Sequence, residues 1–93
     1  MYRIVILYEE APDAEGYADH VDRFCQPPNG GVFRHGRVTG GAIGDAHAYY
    51  AEFEFADRQA FDEFARSEQF MGAGRDVMER GWKLSNVEFV ELT

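Results

Sequence analysis

The sequence predicts an α+β domain in which a four-stranded antiparallel sheet carries its helices on one face. Three observations lead there. The chain begins with a β-branched and aromatic run, Tyr2 to Tyr8, too short for a stable helix. The stretch from His47 to Ala65 changes its hydrophobic period from two to between three and four within a few residues, so a strand feeds directly into a helix. Two further strand-like runs, Val32 to Val38 and Leu84 to Leu92, complete the order β-α-β-β-α-β, the ferredoxin-like unit.

The first strand ends at Glu9-Glu10-Ala11-Pro12. Asp13 is a suitable cap for the helix that follows, in which Tyr17, Val21, Phe24 and Cys25 share one face, and that helix should stop near Gln26, before Pro27-Pro28. The prolines with Asn29-Gly30-Gly31 make a turn. In the second strand Gly36 suggests a bulge. The loop Gly40-Gly41-Ala42-Ile43-Gly44-Asp45 lacks GxGxxG spacing and precedes a strand, so it is a hairpin connection and not a phosphate cradle. Tyr49 to Phe55 forms the third strand. The second helix is split or extended, with Ser67 capping its later part around Phe70, Met71, Val77 and Met78, and Trp82 packs under its end. In the last strand Val87 and Phe89 face one way and Glu88 and Val90 the other.

A chain of 93 residues is a single domain, spanning 1–93, with a modest core in which eight Phe, five Tyr and one Trp supply much of the buried surface. Helices on one face leave the other face of the sheet bare. Apolar residues on alternate positions of all four strands suggest that a second copy covers it, a homodimer through the open sheet face. The net charge of −8, with no basic stripe, argues against nucleic acid and anionic lipid surfaces. No apolar signal region or membrane-spanning run is present, and one cysteine excludes an internal disulfide, so a cytoplasmic protein is expected.

The segment from Tyr49-Tyr50-Ala51-Glu52-Phe53-Glu54-Phe55 through Ala60-Phe61 to Ser67-Glu68, together with Glu15-Gly16-Tyr17-Ala18-Asp19-His20-Val21, resembles the EthD-like family of the dimeric α+β barrel superfamily, and the resemblance covers nearly the whole chain. The family's His-x-Pro landmark at the end of the first helix reads Cys25-Gln26-Pro27 here. What the resemblance implies is a dimer with a pocket between sheet and helices in each protomer. It also implies activities of the cofactor-independent oxygenase, cyclase, dehydratase or decarboxylase type on aromatic or polyketide-like molecules. Other members have no established reaction.

Among the candidate site residues, His20 flanks the apolar stripe, a position that suits either a partly exposed helix histidine or a general base beside Tyr17. Cys25 ends the helix, where the dipole disfavours a thiolate, and it reads as a structural thiol at the pocket. His20 and Cys25 are some 140° apart around the helix at about 100° per residue, so they do not share a proton or a metal. Phe33, Tyr49, Tyr50, Phe53 and Trp82 are aromatic candidates to line an apolar pocket, with His35 a neighbouring strand histidine. Arg34 and Arg37 either pair with Glu52 or Glu54 across strands, the reading we favour, or anchor an acidic ligand. Histidine spacing matches no metal-site pattern, and no metal or cofactor is expected. Two functions follow: a small-molecule enzyme using His20 for proton transfer, or a non-catalytic ligand-binding or dimerisation module of the same fold.

Overall fold

In the computed structural model, which describes residues 1–93, the elements are β1 (Tyr2–Tyr8), α1 (Ala14–Phe24), β2 (Val32–Arg37), β3 (Tyr49–Phe55), α2 (Arg58–Ala65), α3 (Glu68–Glu79) and β4 (Leu84–Glu91). The sheet order is β2-β3-β1-β4 with every neighbour antiparallel. The predicted α+β, ferredoxin-like arrangement is therefore present, with the second helical region divided in two.

Each helix begins where a side chain takes over a free backbone N–H. Asp13 accepts from the Gly16 amide at 2.7 Å, Asp57 from Ala60 at 2.8 Å and Ser67 from Phe70 at 3.1 Å. Ser67 Oγ also donates to the Phe64 carbonyl, so one hydroxyl closes α2 and opens α3. That is why the helical region breaks without a proline. α1 stops at Phe24, with the Cys25 amide donating to the Val21 carbonyl. The turn beyond it holds Asn29 and Gly30 at positive φ, and Gly31 lies so close to the Phe55 ring and Pro27 that a side chain there would clash.

Strand alternation sends Ile4, Ile6, Tyr8, Phe33, Ala51, Phe53 and Phe55 toward the helices. Ile4, Phe53, Phe55, Phe61, Phe64 and Cys25 form the main core, and Tyr8, Tyr17 and Ala51 a smaller one beside it. A side chain of this size contributes roughly 1.5–3 kcal/mol when fully buried, so Phe53, Phe55 and Phe64 are leading contributors to stability.

Two local expectations are corrected. Pairing of β2 with β3 runs unbroken through Gly36 opposite Tyr50, so Gly36 makes no bulge; the irregularity lies between Leu7 and Tyr8 against β4, where Tyr8 pairs with Leu84 and Leu7 with Asn86. The open face of the sheet is not apolar on all four strands. Arg3, Arg34, Glu52 and Glu54 form a ladder of alternating charge across β1, β3 and β2, with Arg3 to Glu54 and Arg34 to Glu52 both at 2.6 Å, and Tyr50 donates to Glu52 at 2.6 Å. Apolar character on that face is confined to positions such as Val5, Leu7 and Val90. No helix is long and apolar enough to cross a membrane.

Candidate functional site

α1 and α3 lie side by side over the sheet, touching closely at Gly72, where an added methyl would come within 3.1 Å of the Phe24 ring. One turn along, His20 on α1 meets Asp76 on α3, with Nδ1 2.7 Å from Oδ2. Both are buried, His20 at 3 % exposure and Asp76 at 8 %. The same Asp76 oxygen accepts from Arg80 Nε at 2.8 Å, one helical turn on, and Arg80 also reaches Asp19 and stacks over Trp82.

The electrostatics fix the proton. Burial holds the His20 imidazole below its usual value, and the Asp76 carboxylate offsets this only in part, so His20 is neutral near pH 7. Burial pulls the Asp76 carboxyl upward, but the bonds from His20 and Arg80 outweigh it and keep the group below the usual carboxylate range. A neutral ring beside an ionised carboxylate must donate from Nδ1. Nε2 is then an acceptor with no protein partner, and because no fully occluded polar atom lacks a partner, it meets open space.

His20 also lines a cavity of about 50 Å³ between sheet and helices, together with Tyr8, Tyr17, Cys25, Phe33, Phe53, Phe70, Gly74, Val77, Leu84 and Val87 among others. Its outer side is the gap between α3 and β4, since β4 has close backbone neighbours only in β1. Val87, 45 % exposed, and Gly74 stand at that opening. Within it Tyr8 donates its hydroxyl proton to Tyr17 at 3.2 Å. The Tyr17 ring is the hub of an aromatic cluster, with Tyr8, His20, His35, Tyr49 and Trp82 all within 5.9 Å between centroids. Burial drives the Tyr17 phenol far above its usual range and pushes Tyr8 up to about 12, so both stay protonated donors. Burial pushes the Cys25 thiol up to about 12.

The structure thus brings Tyr17, His20, Cys25, Phe33 and Phe53 to one cavity. His20 is not the partly exposed helix histidine that its flanking position allowed. Trp82 packs on Tyr17 and His20 from outside the lining. Tyr49 and His35 lie in a separate, outer groove between α1 and β2, where His35 Nδ1 is 2.6 Å from the Tyr49 hydroxyl. Tyr50 is a correction: as the strand neighbour of Tyr49 it points to the open sheet face, bonded to Glu52. Arg34 forms the cross-strand pair favoured from sequence, whereas Arg37 forms none. No group of three or more His, Cys, Asp or Glu is placed to hold a metal ion. Sequence reasoning passed over Asp76, Arg80 and Tyr8. The available signal was Asp76 itself, a carboxylate beside Val77 on the apolar face of α3, which required a buried partner.

Comparison with known proteins bears on the fold. No family model and no curated protein matches the chain. Among solved structures it is similar to an ethyl tert-butyl ether D (EthD) family protein from Bacillus halodurans C-125, with 18 % identity over 100 % of this chain and 99 % of that one and a TM-score of 0.73. It is also similar to a DABB family protein with a ferredoxin-like fold from Mesorhizobium loti MAFF303099, at 13 % identity, 99 % and 94 % coverage and a TM-score of 0.68. A protein from Arabidopsis thaliana matches at 14 % identity, 99 % and 92 % coverage and 0.60. The chain has the ferredoxin-like α+β fold of EthD-like and DABB proteins, as its sequence resemblance implied.

Proposed function

We propose that this chain binds a small aromatic or otherwise apolar carbonyl or phenolic molecule between sheet and helices and catalyses a cofactor-independent proton transfer on it. The observation that carries this reading is the His20–Asp76 contact of 2.7 Å at the wall of an apolar cavity. Asp76 fixes the tautomer, and the free Nε2 lone pair accepts a proton from a carbon beside a carbonyl, or from a phenol. The oxygen that gains negative charge accepts a hydrogen bond from Tyr17, whose own acceptor position is taken by Tyr8. Deprotonation of this type opens cyclase, dehydratase and cofactor-independent oxygenase chemistry.

At about 50 Å³ the cavity has room for a few waters, whereas dry cavities of about 150 Å³ take up a benzene ring. Ligand entry therefore requires side chains to swing at the α3–β4 gap, where Val87 is already 45 % exposed and β4 has close backbone neighbours only in β1. The small volume also favours the second reading, a non-catalytic binding or dimerisation module. A thermal-shift screen of small aromatic and polyketide-like compounds, followed by turnover assays, separates the two. A compound that stabilises the protein and is converted by wild type but not by His20→Gln supports catalysis. Stabilisation without conversion supports the binding module, and no stabilisation by any compound removes both ligand readings.

We further propose a homodimer through the open sheet face. The protomer is a slab of 33 × 31 × 16 Å with helices on one side only, and its outer strands β2 and β4 have unpaired edges. Sedimentation at micromolar concentration should give twice the chain mass. The single thiol fits a reducing, cytoplasmic compartment.

A further inference from the structure

We infer that the outer groove between α1 and β2 is a second binding site, for a small aromatic carboxylate anchored by Arg37. The starting point is charge. The chain has nine Lys and Arg against 17 Asp and Glu, and every Lys and Arg side chain except Arg37 and Arg66 lies within 4.0 Å of a carboxylate. An arginine left without a partner in so acidic a chain has a free planar fork of donors, the group best matched to a carboxylate.

Arg37 lines a groove of about 560 Å³ whose wall is Ala14, Ala18 and Val21 of α1 and whose polar edge is His35, Arg37 and Tyr49. Arg37 is directly opposite Tyr49 in the sheet, and His35 is two positions away on the same face. Burial keeps His35 below its usual value and hence neutral. His35 Nδ1 lies 2.6 Å from the Tyr49 hydroxyl, and in the tautomer that accepts this bond its Nε2–H is a second donor at the groove's polar edge. The register also separates the charges. Arg37 is level with Tyr8 and Tyr49, at the end where α1 begins, while Asp22, the groove's one carboxylate, belongs to the last turns of α1. The groove thus has a cationic end and an apolar length, bounded by aromatic edges, which is the complement of a flat ring bearing a carboxylate. The Tyr17 ring stands between this groove and the inner cavity and lines both. His20 does not line the groove, so substitutions at His20 and at Arg37 separate the two sites.

The test uses 2-naphthoate and, as a neutral counterpart, 2-naphthalenemethanol, titrated into the full chain and followed by backbone amide NMR. Expected is saturable binding of 2-naphthoate with shifts centred on Ala14, Ala18, Val21 and Arg37. Affinity should fall about tenfold or more in Arg37→Gln and for the alcohol, as for loss of a charged hydrogen bond. Arg66→Gln removes the same charge elsewhere and should leave binding unchanged, as should His20→Gln. Equal binding of acid and alcohol, an equal loss in Arg66→Gln, shifts centred on Gly74, Val77 and Val87, or no binding at millimolar concentration would each overturn the inference.

Discussion

His20 Nδ1 on α1 lies 2.7 Å from Asp76 Oδ2 on α3, joining residues 56 positions apart across the helix pair that roofs the inner cavity. Replacing Asp76 by Asn removes the negative charge that both His20 and Arg80 address, leaving buried donors poorly satisfied. The expected cost is about 1–3 kcal/mol, read as a lower denaturant midpoint at unchanged slope. A midpoint equal to that of wild type would mean the pair contributes nothing to folding.

The depressed His20 value sets a pH dependence of defined sign. An unfolded imidazole binds its proton near pH 6.5, above the folded one, so stability is complete above that pH and falls as the pH drops below it, until folded His20 protonates too. His35, also lowered by burial, adds in the same direction. Asp76 contributes only further down, through the carboxylate range. The melting temperature should therefore decline from pH 7 to pH 5, with a shallower decline in His20→Gln. A melting temperature that rises on acidification contradicts the neutral assignment.

Two glycines on α3 should respond in opposite ways. Nothing lies within 4 Å of a methyl added at Gly74, so Gly74→Ala gains helix propensity, about 1 kcal/mol of stability. Gly72→Ala gains the same propensity but pushes a methyl to 3.1 Å from the Phe24 ring at the α1–α3 contact, which cancels or reverses the benefit. Thermal unfolding of the two variants side by side checks the contrast.

Cys25 is 2 % exposed and its thiol is pushed up to about 12 by burial. In the folded protein it should fail to react with Ellman's reagent at pH 8 and react fully in guanidinium. Rapid labelling of the native chain would mark an open, reactive thiol and remove the structural reading.

The sequence shows the elements because their signals are local. Asp13 and Ser67, the caps expected from the sequence, cap α1 and α3 in the structure, and the period change after Phe55 is where β3 hands over to α2. The site is less legible because it depends on pairings across the chain. His20 looked half exposed on its own helix, and only α3 packing beside it, with Asp76 on the facing side, buries it. Tyr49 and Tyr50 were grouped by chemistry, but the strand period of two separates them to opposite faces. Likewise the open sheet face carries charge because Arg3, Arg34, Glu52 and Glu54 neutralise one another across three strands, a register invisible from any one of them.

The most direct test of the central claim is the ¹⁵N spectrum of the histidine side chains, recorded with and without a stabilising phenolic or carbonyl compound. Near pH 7 His20 should give a protonated Nδ1 and an unprotonated Nε2, with the Nε2 resonance moving on ligand addition in wild type and not in Gly74→Phe, which fills the cavity's opening. A doubly protonated His20, or an Nε2 resonance that no stabilising compound moves, would contradict the account.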